Sequence, residues 1–198
     1  MTAGRNGAAM GEDDAMDWDG EVYQARFDSL AAKGIAVHGE ADLVMTFGPG
    51  SVLDAGCGTG RVGAELHRRG VEVIGVDADP SMIETARARH PAVTWELGDV
   101  AASDLGRRFD VVVMAGNVPL FTPAGTQAAL IAGCARHLGD GAALIAGFQL
   151  GRGYELDRYD IDAATAGLEL VDRWATWDRE PFTDEAAYAV SVHRAAGL

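Results

Sequence analysis

The stretch Ser51-Val-Leu-Asp-Ala-Gly-Cys-Gly-Thr-Gly60 decides the fold. It starts as an apolar strand, turns on glycines and continues into a helical pattern from Arg61. Glycines let the main chain approach a ligand and adopt dihedral angles that a Cβ disfavours, and the helix N-terminus offers unpaired N–H groups. The stretch therefore predicts a strand, loop and helix that hold a nucleotide-like ligand. Asp54, at the strand end, is expected to hold the loop or to meet a cationic group, because a buried carboxylate needs a partner.

Composition restricts the classes of function. Asp and Glu number 30 against 16 for Lys and Arg, so the net charge is −14, and Lys33 is the only lysine. Nucleic acids and anionic lipid surfaces are bound by clustered cations, so neither partner is expected and a small molecule is favoured. Cys57 and Cys134 do not suggest a disulfide framework, and the chain is predicted to be cytoplasmic. No apolar run of about 18 residues predicts a membrane span, and the histidines lack metal-ligand spacing, so no metal is expected.

The chain is expected to form one domain with an N-terminal extension. Residues 1–17 lack periodicity and are predicted to be a disordered leader. Residues 18–50 are predicted to form N-terminal helices, and the sequence leaves open whether they close as a lid; there Tyr23 and Phe27 share a helical face and either cover the ligand or pack in the core. Residues 51–198 are predicted to form the core of the domain.

Strands and helices alternate after the glycine loop. The pattern predicts a long helix over 123–138 and strands at 71–77, 93–97, 109–114, 142–148, 168–177 and 186–194. Alternation followed by a closing hairpin predicts an α/β doubly wound sheet with helices on both faces.

Polar residues follow these strands at the edge where a doubly wound sheet binds ligands. Asp77 lies about 20 residues beyond the glycines, the offset at which an acid meets ribose hydroxyls; alternatively, it caps a turn with Asp79. Asp99 either accepts a hydrogen bond from an exocyclic amine or is a turn residue. Asn117 either faces a substrate or is an ordinary turn amide. Cys57 is interpreted as a small loop residue rather than a nucleophile, because no histidine lies near it in sequence.

In combination, these motifs resemble those of the class I S-adenosylmethionine-dependent methyltransferases. The four motifs that carry the resemblance lie at 52–60, 76–82, 98–100 and 109–112, and residues 137–142 resemble the turn before the fifth strand of that family. The resemblance covers about residues 42 to 194 and extends to small, little-characterised bacterial members. The Asn-Pro-Pro-Tyr signature of nucleic-acid and glutamine amide methylases is absent, since the corresponding residues are Asn117-Val-Pro-Leu120.

The resemblance implies a Rossmann-like seven-stranded sheet in the order 3-2-1-4-5-7-6, with the last strand antiparallel. It also implies S-adenosylmethionine as cofactor and S-adenosylhomocysteine as product. The implied cofactor contacts are Asp54, Ala55, Gly56, Cys57, Gly58, Gly60, Asp77, Ala78, Met82, Gly98, Asp99, Val100, Ala115, Gly116 and Asn117. Asp77 would take the ribose hydroxyls, Asp99 the adenine amine, and residues 115–117 would lie beside the sulfonium.

The predicted activity is methyl transfer to a small-molecule acceptor by in-line attack on the sulfonium methyl, which needs mainly alignment and exclusion of water. The predicted acceptor pocket contains Tyr23, Phe27, Asn117, Phe121 and Gln149. No catalytic base is identified in the sequence.

Two alternatives stay open. A nicotinamide-dependent oxidoreductase is suggested by Gly58 to Gly63, which match G-x-G-x-x-G. That match starts late relative to the strand, and no Tyr-x-x-x-Lys pair exists. The other alternative is a protein that binds S-adenosylmethionine without catalysis, because a fold alone does not settle function.

Overall fold

The computed structural model describes residues 38–195, which form a central sheet flanked by helices. The strands are β1 Ser51–Ala55, β2 Glu72–Asp77, β3 Thr94–Leu97, β4 Phe109–Met114, β5 Leu138–Gln149, β6 Leu168–Trp174 and β7 Tyr188–Ala195. The helices are α1 Gly39–Met45, α2 Arg61–Arg68, α3 Pro80–Arg89, α4 Val118–Phe121, α5 Gln127–Arg136 and α6 Leu156–Thr165.

The sheet has seven strands in the order β3-β2-β1-β4-β5-β7-β6. Strands β1 to β5 pair in parallel wherever they are neighbours. β7 runs antiparallel to both β5 and β6. The predicted strand order and the antiparallel last strand are therefore confirmed. The carboxyl ends of β1, β2, β4 and β5 meet at one edge, where the order reverses between β1 and β4.

Helices cover both faces of the sheet, as predicted. α1, α2 and the buried side of α3 pack on one face, and α5 and α6 pack on the other. Strand β4 shows why the central strands read as continuous apolar runs. Val111 and Val113 belong to the core between the sheet and α1, α2 and α3, called the first core here. Val112 and Met114 belong to the second core, between the sheet and α5 and α6.

Local signals placed several element ends correctly. β4 has the predicted bounds, 109–114. α3 begins with Pro80, and the Asp79 carboxylate accepts the Ser81 N–H at 2.7 Å, which is the expected N-cap. α2 ends with His67 and Arg68, and the Arg68 guanidinium suits the C-terminal end of a helix dipole.

The predicted helix over 123–138 was wrong at both ends. Its first residues form a turn, in which the Thr126 N–H donates to the Pro123 carbonyl at 3.0 Å, and α5 starts at Gln127. Residues 138–141 belong to β5 rather than to a turn, because Leu138 pairs with Phe109 across an irregularity in the β4–β5 register. A short helix, α4, was not predicted.

The predicted leader and the helical segment that carries Tyr23 and Phe27 lie outside the described residues. The lid hypothesis for residues 18–50 therefore stays a prediction. Within residues 38–195, the helices are too short or too polar to cross a membrane.

Candidate cofactor and methyl-transfer site

The glycine loop is fastened to the end of β2 by main-chain hydrogen bonds. The N–H groups of Gly56 and Cys57 donate to the Val76 carbonyl at 2.8 and 3.0 Å. The Gly58 N–H donates to the Asp77 carboxylate at 2.7 Å. Gly56, Gly58 and Gly60 all have positive φ, which explains the three glycines in this loop.

Asp77 joins the loop to the turn that follows β2. One of its oxygens accepts the Gly58 N–H, and the other accepts the Asp79 N–H at 2.9 Å. Burial raises the pKa of the Asp77 carboxyl, while those two N–H groups oppose the rise. The predicted turn-capping role is thus present. It leaves acceptor capacity on both oxygens, because each has a second lone pair.

Asp54 is buried at the end of β1 and ties β1 to α2. Its carboxylate accepts the Gly63 N–H at 2.9 Å, within the first turn of that helix. Burial raises the pKa of Asp54 to about 7, and the Gly63 N–H and the Arg61 guanidinium act in the opposite direction. Asp54 therefore joins the strand before the glycine loop to the helix after it. This matches the predicted role of holding the loop.

Arg61 follows the loop and pairs with Glu40 of α1. Its Nη1 donates to Glu40 Oε2 at 3.0 Å, and its Nη2 pairs with Glu40 Oε1. Both side chains are mostly buried. The pair connects α1 to the start of α2, a connection that the sequence analysis did not predict.

Trp95 of β3 packs in the first core, on one face of the sheet, against the glycine loop and the start of α2. A Cβ added at Gly75 would lie 2.3 Å from the indole, one at Gly60 would lie 2.7 Å from it, and one at Gly63 would lie 3.0 Å from it. The indole N–H donates to the His90 carbonyl at 2.9 Å. These glycines thus form a slot for one aromatic ring. Sequence reasoning missed this role, because Trp95 lies far along the chain from the loop.

The third strand ends in the predicted acidic turn. The Gly98 N–H donates to the Asp77 carbonyl, so the β2 and β3 ends are adjacent. Asp99 is exposed, and its carboxylate accepts the Ala101 N–H at 2.9 Å. Val100 is buried in the second core. Around the same corner, Ala78 is exposed and Met82 is buried in α3.

The end of β4 is held to β5 through Asn117. Its N–H donates to the Gly147 carbonyl at 3.1 Å, and its side-chain oxygen accepts the Gln149 N–H at 2.8 Å. Asn117 has a φ of 71°, in the left-handed region, as has Gly116 at 79°. The chain then enters α4, whose Val118 occupies the space beside Gly56, where a Cβ would lie 2.6 Å from its methyl group. The β4 end and the glycine loop are therefore in contact.

The cysteines have no catalytic setting within the described part of the chain. Cys57 and Cys134 are buried and free. Burial, followed by the nearby charges of Asp54 and Asp77, raises the pKa of the Cys57 thiol well above its ordinary value, so it is a poor nucleophile. Within the same residues, no three His, Cys, Asp or Glu side chains form a group that could hold a metal ion.

The predicted acceptor residues within the described region lie at this same edge of the sheet. Phe121 of α4 is 63 % exposed, and Gln149 is exposed at the end of β5. Trp177 and Tyr188 were not predicted. The Trp177 indole N–H donates to the Tyr188 hydroxyl at 3.2 Å, and both rings pack against the first core beside Gly147.

Comparison with known proteins assigns a family to this geometry. The sequence profile of a methyltransferase domain family matches residues 52–141, from β1 into β5. A crystal structure of a TehB-like SAM-dependent methyltransferase from Corynebacterium glutamicum superposes with a TM-score of 0.84 and 34 % sequence identity. The match covers 89 % of this chain and 98 % of that one.

Two curated relatives match more limited segments. A magnesium-protoporphyrin O-methyltransferase of Rhodobacter capsulatus is 46 % identical over 67 residues, which are 31 % of this chain and 30 % of that protein. A trans-aconitate 2-methyltransferase of Methylobacterium radiotolerans is 39 % identical over 98 residues, which are 48 % of this chain and 36 % of that protein. The matches thus span about a third of the length of these curated relatives.

The glycine loop, the strand order and the near-complete match to a solved relative all indicate the same family. The solved relative is named as a SAM-dependent methyltransferase, so the cofactor of the family is S-adenosylmethionine. The chain belongs to the class I S-adenosylmethionine-dependent methyltransferase family.

Proposed function

We propose that this protein transfers a methyl group from S-adenosylmethionine to a small-molecule acceptor at the carboxyl edge of its sheet. The observation that carries the proposal is the junction of the glycine loop with Asp77, where the Gly58 N–H donates to the carboxylate at 2.7 Å. This junction places a glycine-lined loop beside an acid that still has acceptor capacity. Relatives that methylate a porphyrin and a tricarboxylic acid support a small organic acceptor.

The donor set fits the proposed cofactor. S-adenosylmethionine carries a sulfonium, an ammonium and two ribose hydroxyls, and carboxylates accept from hydroxyl and ammonium groups. Asp54 lies near the end of β1, Asp77 ends β2 and Asp99 follows β3, so these acids lie at neighbouring strand ends. We infer that Asp77 holds the ribose hydroxyls and that Asp99 holds the adenine amine beside Val100. The remaining contacts are proposed for Ala55, Gly56, Cys57, Gly58, Gly60, Ala78, Met82, Gly98, Ala115 and Gly116.

The proposed reaction needs little chemistry from the protein. When bound, S-adenosylmethionine supplies an activated methyl group for in-line displacement by the acceptor. The glycine loop and the segment 115–117 would align the two reactants, and the side chains at the β4 and β5 ends would exclude water. Asn117 is suited to positioning the reactants, because the Gly147 carbonyl fixes its main-chain N–H and the Gln149 N–H fixes its side-chain oxygen.

Product formation tests the proposal directly. The protein is incubated with methyl-labelled S-adenosylmethionine and a fraction of bacterial metabolites smaller than proteins, and labelled products are separated by mass spectrometry. We expect S-adenosylhomocysteine and a labelled small molecule in equal amounts. Binding of the cofactor with no labelled product from any fraction would favour the non-catalytic alternative. A labelled protein or nucleic acid would contradict the small-molecule acceptor.

A further inference from the structure

Two aromatic residues stand at the carboxyl edge of the sheet, outside the motifs. Tyr188 begins β7 and pairs with Gln149 at the end of β5, so its ring lies beside the last residues of that strand. Trp177 lies in the connection between β6 and β7. Both side chains are partly exposed, as residues that line a cleft are expected to be.

The Trp177 indole is fixed in place by a glycine and a hydroxyl. A Cβ added at Gly147 would lie 2.4 Å from Cζ2 of the indole and 2.7 Å from the Tyr188 hydroxyl. Only glycine allows the two aromatic groups to approach the strand in this way. The indole N–H donates to the Tyr188 hydroxyl, and the first residue of α1, Gly39, lies close to the Cβ of Trp177.

This aromatic pair adjoins the segment proposed to lie beside the sulfonium. Gly147, which the indole covers, accepts the Asn117 N–H at 3.1 Å. Val111 and Val113 of β4, and Ala115 just after it, belong to the same core as Trp177 and Tyr188, so Ala115 and the two rings share one face of the sheet. The rings therefore lie on the same side and at the same edge as the proposed point of methyl transfer.

We propose that Trp177 and Tyr188 form an aromatic wall of the acceptor site and determine which acceptors fit beside the transferred methyl group. This inference rests on the proposed function. The wall consists of two rings and one hydroxyl, so it suits an acceptor that presents an apolar or aromatic surface next to its reacting atom. Neither residue is proposed to move a proton.

The wall can be probed without knowledge of the acceptor. The probes are S-adenosylmethionine and its sulfonium analogue in which a benzyl group replaces the methyl. Calorimetric dissociation constants are measured for the wild type, Trp177→Ala, Trp177→Phe and Tyr188→Phe. Phe182→Ala is the matched control, because Phe182 lies in the same β6–β7 connection but contacts Arg173 instead.

We expect the wild type to bind the benzyl analogue at least as tightly as S-adenosylmethionine, because the benzyl ring enters the acceptor site and packs against the wall. Trp177→Ala should weaken binding of the benzyl analogue roughly tenfold while changing the affinity for S-adenosylmethionine by less than about twofold. Tyr188→Phe should weaken binding of the benzyl analogue less, because the indole loses only its hydrogen-bond acceptor, and Phe182→Ala should behave as the wild type. If Trp177→Ala does not fold, Trp177→Phe should show a partial effect in the same direction.

The outcomes separate this inference from the proposed function. A wild type that does not bind S-adenosylmethionine would overturn the function itself. A wild type that binds the benzyl analogue roughly tenfold or more weakly than S-adenosylmethionine would overturn the wall, and so would a benzyl-to-methyl ratio unchanged in the folded Trp177 variants. In both of these cases the methyltransferase function would stand.

Discussion

The two halves of the sheet are built in different ways. In the cofactor half, β1 to β3, most contacts join the glycine loop to the ends of adjacent strands through main-chain N–H groups, as between Gly58 and Asp77. In the acceptor half, β4 to β7, side chains from separate segments also meet, as where Trp177 and Tyr188 approach Gly147. A sequence motif can reveal the first kind of site, because the residues of that site are close in sequence. The second kind leaves no local pattern.

Trp95 is an exception in the cofactor half, and its removal is expected to have the largest effect. Trp95→Ala should lower the free energy of unfolding by about 3–5 kcal/mol, because a buried indole leaves a cavity between Gly60, Gly63 and Gly75. Urea unfolding measures the change. Trp95→Phe should cost less, because a ring still occupies the slot.

A loss under about 1 kcal/mol for Trp95→Ala would contradict the supporting role of the indole. The reciprocal change, Gly75→Ala, adds a Cβ at 2.3 Å from the ring and should destabilise the wild type by overpacking. The same change should be better tolerated in the Trp95→Ala background, since the two sites are in contact.

Asp54 makes the stability of the cofactor half depend on pH. Its pKa is about 7 in the folded protein and near 3.9 in an unfolded chain, so the folded state holds the proton more tightly. The stabilisation is complete below about pH 4 and is lost as the pH rises towards 7. Relative to Asp54→Asn, the wild type should lose roughly 2–4 kcal/mol over that range.

The Asp54 comparison is made as a difference between two urea-unfolding series, which removes contributions common to both proteins. One such contribution comes from His193, whose pKa is lowered to about 4 by burial. Its effect has the opposite sign, because stability from a neutral buried histidine is lost as the pH falls from about 6.5 to 4. Parallel pH curves for wild type and Asp54→Asn would show that Asp54 stays ionised.

Asp77 should carry a large share of cofactor affinity. Asp77→Ala removes acceptors for the proposed ribose hydroxyls and frees the Gly58 N–H, so S-adenosylmethionine should bind roughly 10- to 100-fold more weakly. Calorimetry on the folded variant measures the change. Asp104→Ala is the control, because Asp104 is an exposed carboxylate that accepts the Gly106 N–H within its own turn. Equal affinities for wild type and Asp77→Ala would sink the ribose assignment.

Asn117 tests the acceptor half with the smallest expected effect. Its φ of 71° disfavours a Cβ, so Asn117→Ala loses the bond to Gln149 and retains the strain, whereas Asn117→Gly loses only the bond. The alanine variant should unfold more readily than the glycine variant by about 1 kcal/mol. The reverse order would indicate that the backbone strain is unimportant here.

Local chemistry explains how much of the fold could be predicted. The apolar run of β4 and the Asp79-Pro80 helix start are complete signals within a few residues, and both agree with the structure. The predicted helix over 123–138 extended too far because Pro123 suits the first turn of a helix and Leu138 is a good helix former in isolation. Pairing with Phe109 draws Leu138 into β5, a tertiary effect that no short window contains.

The same limit applies to the candidate site. The acid beside the glycine loop was predictable from its offset along the chain. The slot for Trp95 was not, because it needs Gly60, Gly63 and Gly75 in three dimensions. The approach of Trp177 to Gly147 likewise depends on β7 folding back beside β5. These residues become recognisable only once the sheet order is known.

Calorimetric titration with S-adenosylmethionine, S-adenosylhomocysteine and NAD tests the central claim most directly. The account predicts that both adenosyl compounds bind with micromolar dissociation constants and that NAD produces no binding heat. Binding of NAD alone would contradict it and would favour the oxidoreductase alternative. Failure of both adenosyl compounds to bind the folded protein would also contradict it, because the glycine loop would then have been misinterpreted.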